Sequence, residues 1–244
     1  MHARALLVGS SIALGCLSCS SAPPAASSGA GGAGASTAAS AGGAGGAPAA
    51  KSVDLGGGTT ATLAGDGALS ITRGGATVAA SNGAAFGVFY DTVNPDNFHD
   101  PRAPGTAWVD APTSTIAIDS PAPGVLHLAL GPQGAKAALV SFALAIDGGA
   151  YLGLGERFDH VDAKGLVVPM FLAIGDNAES GTNDAHAPVS FFVDSSGYGV
   201  FVRSRQAGAF DVGADDPSNV RASFEGNQLD VYLYAPQSGD PLDV

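Results

Sequence analysis

The chain has 244 residues, 45% of them apolar and only 13% charged, with a formal net charge of −12. Those proportions exclude a charge-driven disordered protein, and an acidic surface repels phosphate backbones, so nucleic acid is not expected as a partner. The only cysteines, Cys16 and Cys19, stand near the N-terminus, so no disulfide framework runs through the rest of the chain.

Residues 1–19 read as a lipoprotein-type signal peptide. His2 and Arg4 give a weakly positive start, and the apolar run 5–17 is too short to span a bilayer but has the length of a signal core. The segment "IALGC" resembles a bacterial lipobox. Gly15 fits the position before a lipidated cysteine, which makes Cys16 the expected acylation site and Cys19 the alternative. The plain alternative is an incidental Cys-x-x-Cys inside a discarded signal. On the lipoprotein reading the protein is exported to the bacterial cell envelope and held to a membrane by its N-terminal acyl chains.

Residues 20–50 are Gly, Ala, Ser, Pro and Thr, with no charge, aromatic or large aliphatic side chain. Such a stretch cannot bury enough surface to offset its ordering entropy and is expected to be a disordered linker. A Gly-rich tether of this length reaches roughly 30 Å.

From residue 51 to 244 strand signals dominate. "ATLAGDGALSITRGG" alternates and turns at Gly65-Asp66-Gly67, which predicts a hairpin. "TSTIAIDS" and "GVLHLALG" are short strands separated by "PAPG", and "AALVSFALAID" is a longer, more buried one. "VSFFVDSSGYGVFVRS" predicts two strands around Ser195-Ser196-Gly197. "RASFEGNQLDVYLYAP" predicts a further hairpin with Gly226-Asn227 at its turn. No amphipathic helix of three turns is discernible, so the fold class is all-β, a sandwich or barrel with alternate residues facing the core. The polar stretch 173–188 is too long for a hairpin loop, and long loops in compact domains are commonly functional or disordered.

The usual chemical signatures fail one by one. "GLGERF" at 153–158 has Phe158 in place of a third glycine and no following helix, so it is not a dinucleotide loop. "GDNAESG" lacks calcium ligands at its third and twelfth positions, Ala178 and Ala187. His99, His127, His160 and His186 show no zinc spacing, and no metal or cofactor is expected. "DSSG" lacks the glycine pattern of a nucleophile elbow. Trp108 could stack on a sugar ring, although a lone aromatic in a β domain ordinarily belongs to the core. Carboxylates are plentiful: Glu156, Asp159, Asp162, Asp176, Asp194, Asp211 and Asp215. Glycoside hydrolysis needs two of them converging, which a linear pattern cannot show. Glu156-Arg157 reads as a partly buried structural ion pair, and Asp215-Asp216-Pro217 as a solvated turn.

"YLGLGERFDHVDAKG", residues 151–165, resembles the Tyr-x-Gly-Leu-Gly-Glu-Arg-Phe segment of family-31 glycoside hydrolases, the α-glucosidase and α-xylosidase group. A polar loop, "APVSFFVDSSGYGVFVRS", "AFDVG" and "QLDVYLYAPQSGDPLDV" follow in the family's order, so the strong resemblance covers 151–244 and 51–150 fits more loosely. The resemblance implies that 51–244 is the family's N-terminal, galactose-mutarotase-like β-sandwich. In the family this domain packs on a catalytic (β/α)₈ barrel that carries both catalytic Asp residues. No residue of this chain matches either, so no catalytic residue and no turnover are expected from the chain alone. Tyr151, Gly153, Gly155, Glu156, Arg157 and Phe158 form the structural motif. Asp176 is the residue expected nearest a substrate hydroxyl, although the family's adjoining Trp-Asn is missing and a solvated loop Asp is the plain alternative. The implied partners are an α-linked oligosaccharide or glycoside and a barrel in cis or in trans, and truncation before that barrel is expected. The competing readings are a stand-alone, lipid-anchored carbohydrate-binding module at the cell surface and a ligand-free envelope domain.

Overall fold

A computed structural model describes residues 48–90, 108–134, 137–157, 160–170 and 185–238. All of them belong to one compact unit, Gly45–Val244. The first four strands are β1 Lys51–Gly56, β2 Thr59–Leu63, β3 Ala68–Arg73 and β4 Ala76–Ala84. They form an antiparallel meander in chain order. Then follow β5 Phe86–Phe89, β6 Val109–Asp110, β7 Ile116–Ala122, β8 Val125–Leu130 and β9 Leu139–Ala145. Next come β10 Tyr151–Gly153, β11 Glu156–Arg157, β12 Val167–Pro169 and β13 Ala185–Ala187. The last five are β14 Phe191–Asp194, β15 Tyr198–Arg203, β16 Gly208–Val212, β17 Asn219–Glu225 and β18 Leu229–Tyr234. Among the described residues the only helical turn is the 3₁₀ turn Thr113–Thr115.

Two six-stranded antiparallel sheets make the sandwich. One runs β12-β16-β17-β9-β5-β6 and the other β10-β14-β15-β18-β8-β7, while β11 and β13 pair separately. Alternation explains which side chains meet. Every second residue of β9 (Val140, Phe142, Leu144), β17 (Val220, Ala222, Phe224) and β8 (Leu126, Leu128, Leu130) enters one continuous buried cluster. The cluster is knitted across the sheets by aromatic rings. Phe192 of one sheet meets Phe210 of the other edge to face, 5.9 Å between centroids at 87°. Phe210 in turn meets Phe224 at 5.9 Å, and Tyr151 meets Phe192 at 5.4 Å. Such pairs add about 0.5–1.5 kcal/mol each beyond the area they bury.

The meander closes one part of this core with Leu55, Leu63, Leu69 and Ile71. It is tied down by polar contacts at both ends. Gly124 N–H donates to the Leu55 carbonyl at 2.7 Å, and the Lys51 ammonium donates to the Ile116 and Thr113 carbonyls at 2.5 and 3.2 Å. Arg73 donates to the Pro236 carbonyl.

One predicted hairpin is not a hairpin. β17 pairs with β16 and β9 in one sheet, whereas β18 pairs with β15 and β8 in the other. Residues 226–228 therefore form an arch that carries the chain across the sandwich. Asn227 fixes it: its carbonyl accepts the Gln133 N–H at 2.7 Å, and its amide donates to the Gln133 carbonyl at 3.3 Å. Gly226 N–H donates to the Ala138 carbonyl at 3.1 Å. Alternating burial is the same for two strands of a hairpin and for two strands of facing sheets. Only the partners on their edges tell them apart, and those lie far away in sequence.

Truncating the ring at the sheet-to-sheet contact, Phe210→Ala, is expected to destabilise the chain by about 3–5 kcal/mol. Chemical denaturation checks this. A loss below about 1 kcal/mol would show that the sheets do not depend on that contact.

Candidate functional site

The segment 151–165 is built as an edge strand, a tight left-handed turn and a stapled loop. Tyr151 is fully buried and opposes Asp194 at the outer end of β10 and β14. The chain then turns through Gly153, Leu154 and Gly155, with φ of 115°, 66° and 103°. The two glycines are needed for space as well as for φ. A Cβ on Gly153 would lie 2.8 Å from the Phe191 carbonyl oxygen, and one on Gly155 only 2.2 Å from that of Ala187. Leu154 tolerates a left-handed conformation that costs a bulky residue about 1–2 kcal/mol, because its side chain is buried and its N–H donates to the Phe191 carbonyl at 2.8 Å. The "GLG" spacing thus serves close backbone packing against β13 and β14. Glu156, next in line on β11, is exposed, which corrects the expectation of a partly buried ion-pair member.

Asp162 staples the loop that follows. Its Oδ1 accepts the N–H groups of Tyr151 at 2.9 Å and Lys164 at 3.0 Å, and the Ala163 N–H donates back to the Tyr151 carbonyl at 2.9 Å. The Lys164 ammonium donates to the carbonyls of Asp147 and Gly149 at 3.3 and 3.5 Å. Behind the strand, burial holds both Tyr151 and Tyr198 well above the usual tyrosine range, and the neighbouring Asp194 carboxylate adds to that. Neither hydroxyl, nor Asp194 Oδ2, closes a hydrogen bond. Both phenols therefore stay neutral and structural.

Of the carboxylates singled out above, Asp162, Asp194 and Asp211 are spent on turns. The same arrangement, an Asp Oδ1 accepting the N–H two residues on, occurs at Asp54, Asp66, Asp147, Asp162, Asp194 and Asp216 at 2.7–3.1 Å. Asp211, which is buried, accepts the N–H groups of Ala214 and Asp215 at 2.8 and 3.3 Å. Asp216 is more than a solvated turn residue: it also accepts from the Ser218 hydroxyl and the Asn219 amide, both at 2.6 Å. These hydrogen bonds, led by Ser218, hold its carboxyl down to about 2. His127 is structural too. Its Nδ1 and Nε2 lie 3.3 Å from Asp119 and Asp230, and its ring stacks on Tyr232 at 4.5 Å. Among the described residues no group of His, Cys, Asp and Glu is placed to hold a metal ion.

Asp176, Asp159, Phe158, Cys16 and Cys19 lie outside the described residues, and Arg157 is described only as a residue of β11. The structure brings Tyr151, Gly153, Gly155 and Glu156 together on one edge. It also assembles a cleft that sequence reasoning did not, on the sheet containing β5, β6, β9 and β17. Trp108, Asp110, Arg221, Asn82 and Asn219 surround it over a floor of Gly83, Ala84 and Ala143, enclosing about 350 Å³. A second, larger hollow of about 410 Å³ lies by the arch and is lined by Arg203, Arg205, Gln206, Glu225 and Asp230. It has no aromatic wall, and Arg203 is already committed to Asp230 at 3.1 Å.

No protein-family profile matches the chain. The α-xylosidase XylQ of Lactiplantibacillus pentosus is 35% identical over 101 residues, which cover 41% of this chain and 13% of that protein. The GH31-family sulfoquinovosidase from E. rectale, solved with an aza-sugar inhibitor, aligns over 70% of this chain and 31% of its own with a TM-score of 0.50 at 13% identity. The cycloalternan-forming enzyme from Listeria monocytogenes aligns over 77% of this chain and 16% of its own, at 14% identity and a TM-score of 0.45. The chain thus spans a small part of each of these proteins. The fold is an all-β sandwich of the class found in the sulfoquinovosidase. More particularly, the chain carries a domain related to family-31 glycoside hydrolases.

Two outcomes follow from this geometry. Gly155→Ala should cost about 2 kcal/mol or more, since it combines a left-handed φ with a backbone clash; an unchanged denaturation midpoint would remove the close-packing role of the motif. Asp216 has a folded pKa depressed from 3.8 to about 2. A depressed carboxylate stabilises the fold above its unfolded pKa and loses that effect as pH falls through the folded value. The stability difference between wild type and Asp216→Ala should therefore be modest and constant at neutral pH and shrink between pH 4 and 2, as followed by denaturation across pH. A difference that is independent of pH over that window would contradict it.

Proposed function

We propose that this is the non-catalytic N-terminal domain of an exported α-glycosidase, whose hydrolysis of α-glucosides or α-xylosides is carried out by a (β/α)₈ barrel outside residues 1–244. The observation that carries the reading is the turn at 153–155. The glycines of the "YLGLGERF" segment, on which the resemblance to family-31 enzymes rests, sit where no other residue fits. The similarity to an α-xylosidase supports the same substrate class.

Surface chemistry is consistent with a partner at this edge. Of the five exposed large hydrophobic residues among those described, three line the segment: Leu152 at 37%, Val161 at 85% and Val189 at 48% exposure. Leu152 bridges to Asp162 beside Val161, and the Val189 backbone packs against Gly155. Clustered exposed apolar groups of this kind mark docking surfaces, and the barrel is the occupant we assign. The domain would contribute docking and loop placement, with Asp176 as the residue nearest substrate. The Asp side chains engaged in turns are unavailable as a nucleophile and acid pair, which needs free carboxyl groups about 5 Å apart or more. On this reading the chain alone turns over no aryl α-xyloside or α-glucoside. The N-terminal segment would place it in the bacterial cell envelope through a lipid on Cys16 or, alternatively, Cys19. A second reading, a stand-alone lipid-anchored carbohydrate-binding module, is favoured by the Trp108 cleft.

Reading the coding DNA beyond the Val244 codon in every frame decides between them. A downstream barrel with paired carboxylates is expected. Unrelated sequence would sink the glycosidase reading and leave the module. Fatty-acid labelling that is lost in Cys16→Ser is expected for the anchor, and labelling that is absent from the wild type would overturn it.

A further inference from the structure

The cleft around Trp108 lies on the opposite sheet from the 151–165 segment, and nothing in the proposed docking role uses it. Its construction begins with a missing side chain. A Cβ on Gly87 would sit 2.1–2.5 Å from Cε2, Cδ2 and Cζ2 of the indole, so the ring lies flat on the bare backbone of β5. Trp108 Nε1–H donates to Asp110 Oδ1 at 2.8 Å, and Phe89 meets the ring edge to face at 5.9 Å. The indole is therefore fixed, yet it remains partly exposed.

Arg221 reaches over it, with the guanidinium carbon 5.1 Å from the ring centroid. Its buried Nε–H has no acceptor, and its positive charge adds to holding the nearby Asp216 carboxyl down. The guanidinium is held over the ring, and its Nε–H remains without an acceptor. Beside it, Asn82 donates its amide to the Ser218 carbonyl at 3.0 Å and to Asn219 at 3.3 Å, which leaves its own carbonyl oxygen as an acceptor. Asn219 is itself oriented by Asp216 at 2.6 Å.

We propose that this cleft is a binding subsite for a pyranose unit of a neutral glycan. A pyranose presents an apolar C–H face and a rim of hydroxyls that both donate and accept. The cleft offers the matching set: a partly exposed indole and alanine floor, the Arg221 guanidinium as donor, and the acceptors Asp110 and Asn82. Its volume, about 350 Å³, falls within the range of roughly 300–1,000 Å³ of small-molecule sites. An anionic ligand would meet Asp110 and a net charge of −12, which disfavours it. The choice of a glucose- or xylose-type sugar rests on the glycosidase reading above.

Trp108 is the only tryptophan of the chain, so its fluorescence reports on this cleft alone. The full chain is titrated with maltotriose, isomaltotriose and xylobiose, with emission and calorimetric heat followed in parallel. A saturable change in emission is expected with at least one sugar. Affinity should fall about tenfold or more in Arg221→Ala and in Asn82→Ala, the second being an exposed position where folding is not at risk. Heat of binding without any change in emission, or with neither variant affected, would place the sugar elsewhere and overturn the cleft while leaving the glycosidase reading intact. Absence of both signals with every sugar would also overturn the cleft, and the glycosidase reading would then stand or fall on the downstream coding sequence.

Discussion

The contact between Phe192 and Phe210 joins the two halves of this molecule. Each ring belongs to a different sheet, and each is in turn braced within its own surroundings, Phe192 by Tyr151 and Phe210 by Phe224. Beside that file of rings, the aliphatic side chains of the same cluster fill space but set no angle. Edge-to-face geometry does set one, because the ring quadrupole favours a near-perpendicular approach. The first ring of the file is the tyrosine that opens the 151–165 segment. The position of that segment on the sheet edge is therefore inherited from the core, and the left-handed turn after it can be strained without drifting.

The second constraint is how the chain turns. Strand follows strand with few residues between, so nearly every reversal needs a backbone N–H satisfied locally. Aspartate does this repeatedly, accepting the N–H two residues on. This explains why a protein so poor in charge is nonetheless strongly acidic: its aspartates are turn-builders before they are surface charges. At Asp216 the hydrogen bonds from Ser218 and Asn219 stabilise the carboxylate as the anion. Asp162 is the one whose staple holds the motif segment in place.

Much of this was legible in the sequence, and the limits have physical causes. The turns at 65–67 and 195–197 are local, and local chemistry announced them. The buried β9 was visible as a long apolar run. Gly153 and Gly155 stood out as members of the structural motif, while their close packing shows only in the fold. Two features were not legible, since both depend on partners far apart in the chain. The arch at 226–228 looks like a hairpin because alternation is blind to which sheet a strand joins. The Trp108 cleft draws on β4, the approach to β6, and β17, and its key residue is Gly87, whose significance is an absent side chain. Arg221, in the middle of an ordinary alternating strand, gave no sign that it would reach over the indole.

These two kinds of construction converge at Asn219. Asp216 builds the turn before β17, and the same carboxylate orients the amide of Asn219, which forms one wall of the cleft beside Asn82. The hydrogen bonds that keep Asp216 ionised down to about pH 2 therefore also keep that wall fixed across the range in which an ordinary carboxylate would be protonated. Arg221 follows two residues later on the same strand, so the turn sets the start of the strand that carries the guanidinium to the indole. A turn that elsewhere in this molecule only reverses the chain here also positions two of the polar groups that a sugar would meet.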